Sequence, residues 1–236
     1  MMLSKYDELK FRLRAIEVLR TLKEVYSYEE LSGDLRLSPQ ALSRYVSGKV
    51  IPSLDRCREI LELMSKRLGN IILEYINVRE NVVDVTSLLS NPRLLRAVAK
   101  VAATYFIDKG VTKVLTKEVN GIPIATLIAD EIGALLVVAR ERKEVGVDKF
   151  IEVKHVYPSG TYTYIYVPKY LLKKGDRVLI ADDLIRSGST VRALANVCRL
   201  AECEIIGVFA IIGKHDGIRA LESELKVPVI VIVKLS

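Results

Sequence analysis

Three cysteines, a single glutamine and no long apolar run are the scarcities that first narrow this chain of 236 residues. Cys57, Cys198 and Cys203 are too few for a disulfide framework. No Cys-x-x-Cys pair or histidine cluster accompanies them to hold zinc. The set reads as reduced structural thiols in a cytoplasmic protein that binds no metal through its own side chains. No apolar stretch approaches the roughly 20 residues of a membrane span, and Met1 to Lys10 lacks the pattern of a signal peptide. A membrane partner is therefore not expected. Gln40 stands alone among many Lys, Arg, Glu, Ile and Val, a balance that leans towards a thermophilic source. Internal repeats and low-complexity tracts are missing.

Half of the residues are hydrophobic, ample for a buried core. The net charge of +7 and pI near 9.2 point to anionic partners, either nucleic acid or phosphorylated ligands. The length suits one large domain, or a small one followed by a medium one.

The first third reads as helices with short turns. Leu9, Leu13, Ile16, Leu19 and Leu22 recur at helical spacing. Ser27 with Glu30 forms a capping-box pattern ahead of a short helix from Tyr28 to Leu35, although Gly33 is out of place in its interior. Ser38-Pro39 is a strong start signal for a third helix reaching Val46, and Gly48 stops it. Ser53 to about Glu80 reads as one or two further helices. From about Val82 the composition changes. Helical patterns alternate with the β-branched runs Val111–Leu115, Leu135–Ala139, Val178–Ala181, Ile205–Ile211 and Val227–Val233. Such alternation predicts an α/β fold, a parallel sheet with helices on both faces, preceded by a small all-α domain. The expected boundaries are 1–65 for the helical domain, 66–81 for a helical linker and 82–236 for the α/β domain.

The richest chemistry lies in Arg177-Val-Leu-Ile-Ala-Asp-Asp-Leu-Ile-Arg-Ser-Gly-Ser-Thr190. An apolar strand ends in two adjacent carboxylates, Asp182 and Asp183, which can accept hydrogen bonds from neighbouring sugar hydroxyls. Arg186, Ser187, Gly188, Ser189 and Thr190 then lead into a helix, whose N-terminus offers N–H groups and the positive end of its dipole to a phosphate. Together they describe a pocket for a phosphorylated ribose, where a strand, a turn and an acidic surface corner would be the plain alternative. This segment resembles the signature of the type I phosphoribosyltransferases, which bind phosphoribosyl pyrophosphate (PRPP). The resemblance implies that the aspartates hold the ribose hydroxyls and the loop holds the 5′-phosphate.

The same resemblance extends to other residues. Thr116-Lys-Glu-Val-Asn-Gly-Ile-Pro123 is similar to the family's pyrophosphate loop, which implicates Glu118 and Gly121. Ala139-Arg-Glu-Arg-Lys143 follows the next strand, where relatives carry basic residues that reach pyrophosphate. Arg140 is the better candidate there and Lys143 the poorer, a solvated charge run being the alternative. Gly160 to Pro168 alternates with period two and places Tyr162, Tyr164 and Tyr166 on one strand face, where relatives have a mobile loop or hairpin. In the xanthine-type enzymes a lysine after the last central strand faces the purine, and Lys214 falls there. Their purine-contacting asparagine corresponds loosely to Ser90. His215 beside Lys214 reads as an ordinary surface histidine. No residue is assigned a catalytic role.

Two short helices joined by a two- or three-residue turn give a helix-turn-helix layout. Leu37-Ser-Pro-Gln-Ala-Leu-Ser-Arg-Tyr-Val-Ser-Gly-Lys-Val-Ile-Pro-Ser53 resembles the phage-repressor-like class, whose third helix enters the major groove of double-stranded DNA. Carried over by position, Gln40, Ser43 and Arg44 would read bases and Lys49 would touch phosphate, with Leu42 and Val46 packed inward. Residues 36 to 58 hold five basic side chains against one acid, so positive charge gathers where DNA would lie. A dimerisation or lid domain with a charged face would look similar. The order of elements resembles bacterial purine repressors and, more so, archaeal regulators of the same build. The expectation is a homodimeric transcription regulator that senses PRPP or a nucleotide, Mg²⁺ possible with PRPP. An active phosphoribosyltransferase with an accessory helical domain is the alternative.

Overall fold

The computed structural model describes residues 5–79 and 82–235, and packing density divides the chain into two units at Asp108.

The first unit opens with helix α1 (Lys5–Lys23), which buries Phe11, Ala15, Ile16, Val18, Leu19 and Leu22. Leu9 and Leu13 are exposed rather than part of this stripe, because Phe11, Ala15, Val18 and Leu22 set its centre at helical spacing. Helix α2 (Tyr28–Leu35) begins with the reciprocal capping box. Ser27 Oγ accepts from the Glu30 amide at 3.1 Å, and Glu30 Oε2 accepts from the Ser27 amide at 2.8 Å. Gly33 sits in its exposed side with open space around it. Arg36 leaves the helix in the left-handed region, and Leu37 and Ser38 complete the turn.

Ser38 then caps α3 (Pro39–Val46), with Pro39 in the first turn. Ser53 caps α4 (Leu54–Glu74), which is one helix of 21 residues. Leu31, Leu35, Leu42, Ile60, Leu68 and Ile72 form the centre, where α4 packs on α1 and α2. A two-stranded antiparallel ribbon, β1 (Asn77–Arg79) and β2 (Val82–Asp84), pairs Val78 with Val83. The one-turn helix α5 (Thr86–Leu89) and helix α6 (Pro92–Phe106) follow. Asn91 caps α6, whose buried stripe packs against α1 and α4. That packing places α6 in the first unit.

The second unit carries five parallel strands in the order β4-β3-β7-β8-β9. They are β3 (Lys113–Lys117), β4 (Leu135–Ala139), β7 (Arg177–Ile185), β8 (Glu204–Lys214) and β9 (Val229–Leu235). Between them run α7 (Gly121–Ile132), α8 (Ser189–Leu200) and α9 (His215–Leu225). From the middle of the sheet, β3–α7–β4 winds outward one way and β7–α8–β8–α9–β9 the other. Right-handed crossovers in opposite directions put α7 on one face and α8 and α9 on the other. An antiparallel hairpin, β5 (Phe150–Val156) and β6 (Tyr162–Pro168), leaves the sheet after β4. Its inner side chains, Ile151, Val153, Ile165 and Val167, share a core with Val191, Leu194 and Cys198 of α8. Cys57 and Cys198 are buried, and burial raises their thiols to about 11 and about 12, so both stay protonated and inert.

Candidate functional site

Strand order reverses between β3 and β7, and ligands of open parallel sheets bind beyond the strand ends at such a switch point. Pairing of β3 with β7 stops at Leu115 opposite Ile180, whereas β7 continues to Ile185 against β8. The strand is therefore longer than the expected Val178–Ala181, and it carries Asp182 and Asp183 past the last residue that β3 covers. Both aspartates are buried, at 6% and 7% exposure. Asp182 Oδ1 accepts from the Asp183 amide at 3.0 Å. Burial, and next the Asp183 charge, push the Asp182 carboxyl well above its ordinary range. Two carboxylates buried side by side cost stability whenever both are charged.

Arg186 and Ser187 lead from β7 to Gly188, whose φ of 82° puts it in the left-handed region immediately before α8. A Cβ at Gly188 would stand 2.9 Å from Leu221 Cγ, and one at Gly217 would stand 2.2 Å from the Arg186 carbonyl oxygen. The loop thus rests directly on α9. Arg192 braces it further, donating to the Ser187 carbonyl at 2.7 Å while gripping both carboxylate oxygens of Glu224. Ser189 and Thr190 open α8, whose N-cap Gly188 supplies no side-chain cap and whose first turn has no acid, while Ser187 Oγ accepts weakly from the Ser189 amide at 3.4 Å. The positive end of that helix therefore stays available to an anion.

The expected pyrophosphate loop approaches from the other face. Gly121 opens α7 so tightly that a Cβ there would stand 2.2 Å from Thr116 Oγ1 and 2.9 Å from Asp182 Oδ1. Only glycine permits this approach, which brings the start of α7 against the acid pair. Glu118 turns back, its Oε1 accepting from the Glu141 amide at 2.7 Å, and so ties the loop to the end of β4. Arg140 exchanges both backbone hydrogen bonds with Tyr166 and leaves its side chain exposed beside Glu144. Lys143 is drawn onto the hairpin, pairing with Glu152 at 3.0 Å and lying over the Tyr166 ring. Lys214 ends β8, one residue past Gly213 and its partner Ile185, at the same strand edge as the acid pair. Ser90 ends α5 in the first unit.

Three residues that sequence reading passed over also gather here. Lys117 closes β3, is mostly buried and pairs with Glu141 at 2.6 Å, which holds the Glu141 carboxyl below its ordinary range. His155, on the inner face of β5, reaches Ser189. Lys117 stood in plain view beside Glu118, but nothing local marks Glu141 or His155, whose roles come from the hairpin folding back. The outer hairpin face carries Tyr162, Tyr164 and Tyr166, with Lys154 over the Tyr162 ring.

In the first unit, Gln40 and Arg44 are exposed one turn apart on α3 with Ser43 half-buried beside them, while Leu42 is wholly buried and Val46 partly so. Arg20 fixes the end of α3 by donating to the Val46 carbonyl at 2.7 Å, and Arg12 donates to the Pro52 carbonyl at 2.6 Å. Arg56 and Arg58 pair with Glu59 and Asp55 on their own helix. Among the described residues neither Arg44 nor the exposed Lys49 is held by a carboxylate.

These two constellations correspond to family matches. Residues 84–233 match the family described as Phosphoribosyl transferase domain, and residues 19–69 match the one described as Helix-turn-helix. The chain belongs to the phosphoribosyl transferase domain family. An orotate phosphoribosyltransferase of Pyrococcus furiosus is 30% identical over 171 residues, 71% of this chain and 85% of that protein. A xanthine phosphoribosyltransferase of Streptococcus pyogenes is 30% identical over 173 residues, covering 69% and 86%. The fold is shared with an adenine phosphoribosyltransferase of Rhodothermus marinus, at a TM-score of 0.62 and 23% identity, covering 72% of this chain and 99% of that one. The expected α/β class with a helix-turn-helix before it is the observed one. Among the described residues no helix is long and apolar enough to cross a membrane.

Proposed function

We propose that this protein is a DNA-binding transcription regulator whose phosphoribosyltransferase domain takes PRPP or a nucleotide as its effector. The observation that carries this reading is the pairing, in one chain, of a helix-turn-helix with a buried acid pair at the head of a helix whose N-cap is glycine. Asp182 and Asp183 would accept the ribose hydroxyls. Ser187 to Thr190 and the start of α8 would hold the 5′-phosphate, and Arg140 with the Gly121 turn would meet pyrophosphate. Mg²⁺, where it takes part, would enter on the diphosphate of the ligand. Lys214, at the end of β8, is the candidate for the base. Gln40, Ser43 and Arg44 would read base edges and Lys49 a phosphate. One such helix spans few base pairs, so a cytoplasmic homodimer on a two-fold DNA site is the working form.

Footprinting on genomic fragments with and without PRPP tests this reading. Protection that shifts with PRPP supports it. An absence of any DNA preference at low salt would return residues 1–80 to a packing or dimerisation role. Enzymatic phosphoribosyl transfer is the second reading, favoured by the named activities of the relatives. Pyrophosphate release from PRPP and Mg²⁺ with adenine, guanine, hypoxanthine, xanthine, uracil or orotate would establish it. The regulator reading expects none.

A further inference from the structure

His155 is only 1% exposed, on the inner face of β5 and opposite Thr163 of β6. Its Nε2 lies 3.3 Å from the hydroxyl of Ser189, the first residue of α8. Its Nδ1 is buried with no hydrogen-bond partner among the described residues. The Tyr157 ring packs on it at 4.3 Å. Lys117 from β3 opposes protonation, and Glu141 beyond β4 favours it. Burial is the largest influence and holds the imidazole below its ordinary value, so the ring is neutral at pH 7.

A neutral imidazole carries one N–H, on one nitrogen or the other. On Nδ1 that N–H would be a buried donor without an acceptor, the costlier defect. On Nε2 it meets Ser189 Oγ and leaves only a lone pair unmatched. The network therefore selects the Nε2–H form, and the Ser189 oxygen becomes an acceptor towards His155. The hydroxyl hydrogen of Ser189 is then turned away from the histidine.

We propose that His155 is a positioning residue that fixes Ser189 as a hydrogen-bond donor to a phosphate group bound at the start of α8. This rests on reading the loop as a phosphoribosyl site, and it adds a residue from outside the loop to that site. Because His155 rides on the hairpin, the hairpin's seating on α8 becomes part of phosphate recognition.

The test is calorimetric titration of the full chain with ribose 5-phosphate, using His155→Leu, His155→Gln, Ser189→Ala and the His155→Leu/Ser189→Ala double variant. Loss of one oriented hydrogen bond should weaken binding about threefold to tenfold in His155→Leu. His155→Gln, whose amide N–H can still reach Ser189, should recover most of it. In the Ser189→Ala background His155→Leu should add nothing, because the histidine acts only through that hydroxyl. If His155→Leu does not fold, His155→Asn, polar but too short to reach Ser189, takes its place in the cycle. Unchanged affinity in the single variant, no rescue by glutamine, or losses that simply multiply in the double variant would overturn the proposal. Wild-type protein that binds neither ribose 5-phosphate nor PRPP would instead overturn the site reading itself, and this inference with it.

Discussion

Replacing Asp182 by asparagine should weaken ligand binding while making the empty protein more stable. Asp182 and Asp183 are adjacent, and both are almost fully buried. Charges on two adjacent buried carboxylates repel by on the order of 3 kcal/mol at an effective dielectric of about 20. Asparagine keeps an oxygen for the Asp183 amide, now at 3.0 Å, and removes both the repulsion and the cost of burying the charge. Partial protonation of Asp182 in the wild type trims the gain, so about 1–3 kcal/mol is expected. That corresponds to a rise of about 2–12 °C in unfolding temperature, at about 2–4 °C per kcal/mol for a chain of this size. Binding moves the other way. Losing a charged acceptor for a ribose hydroxyl costs about 1.5–3 kcal/mol, about 10- to 150-fold in affinity for ribose 5-phosphate.

The pH dependence supplies the sign. The folded-state carboxyl of Asp182 is raised by burial and by Asp183, so the wild type is unpenalised below the unfolded value of about 3.9 and loses stability as pH rises through the raised one. The advantage of the variant in calorimetric unfolding should therefore be near zero at pH 4 and grow towards pH 8. A variant less stable than wild type at pH 8, or a difference independent of pH, would refute the account of a repulsive dry acid pair.

Gly121→Ala should cost about 1–3 kcal/mol of stability through overpacking against Thr116 and Asp182 and abolish measurable PRPP binding, as thermal unfolding and titration would show. Arg44→Ala and Gln40→Ala should each cost about 1–3 kcal/mol on a preferred DNA site and lower sequence preference. Lys49→Ala should weaken all sequences alike and reduce the salt slope by about one, measured by fluorescence anisotropy across salt concentrations. His155, whose folded value is lowered by burial, leaves stability intact above about pH 6.5 and erodes it as pH falls through the folded value. Unfolding temperature should accordingly fall less steeply between pH 7 and 5 in His155→Gln than in wild type.

Much of this protein was legible in the order of its residues, because the relevant physics is local. Ser27 with Glu30, Ser38 with Pro39, and Ser53 mark helix starts through hydrogen bonds that span only three residues. The strand at Leu135–Ala139 and the acid pair leading to a small-residue loop are likewise contiguous features. Other features required the tertiary structure. Leu9 and Leu13 follow helical spacing as well as their neighbours, and only the packing of α1 decides which stripe is buried. Helix α6 follows the change of composition, yet its buried face packs with α1 and α4. Lys143 follows the strand where basic residues were expected, but the hairpin offers it Glu152. Glu141 and His155 lie 23 and 34 residues from Glu118 and Ser189, the partners they meet. The helix caps, the strand alternation and the small-residue loop after Asp183 follow from the chain alone, since each depends on neighbours a few residues away. Only the fold decided which charges are buried together and which hydroxyl a histidine orients, because those contacts form where distant segments close on one another.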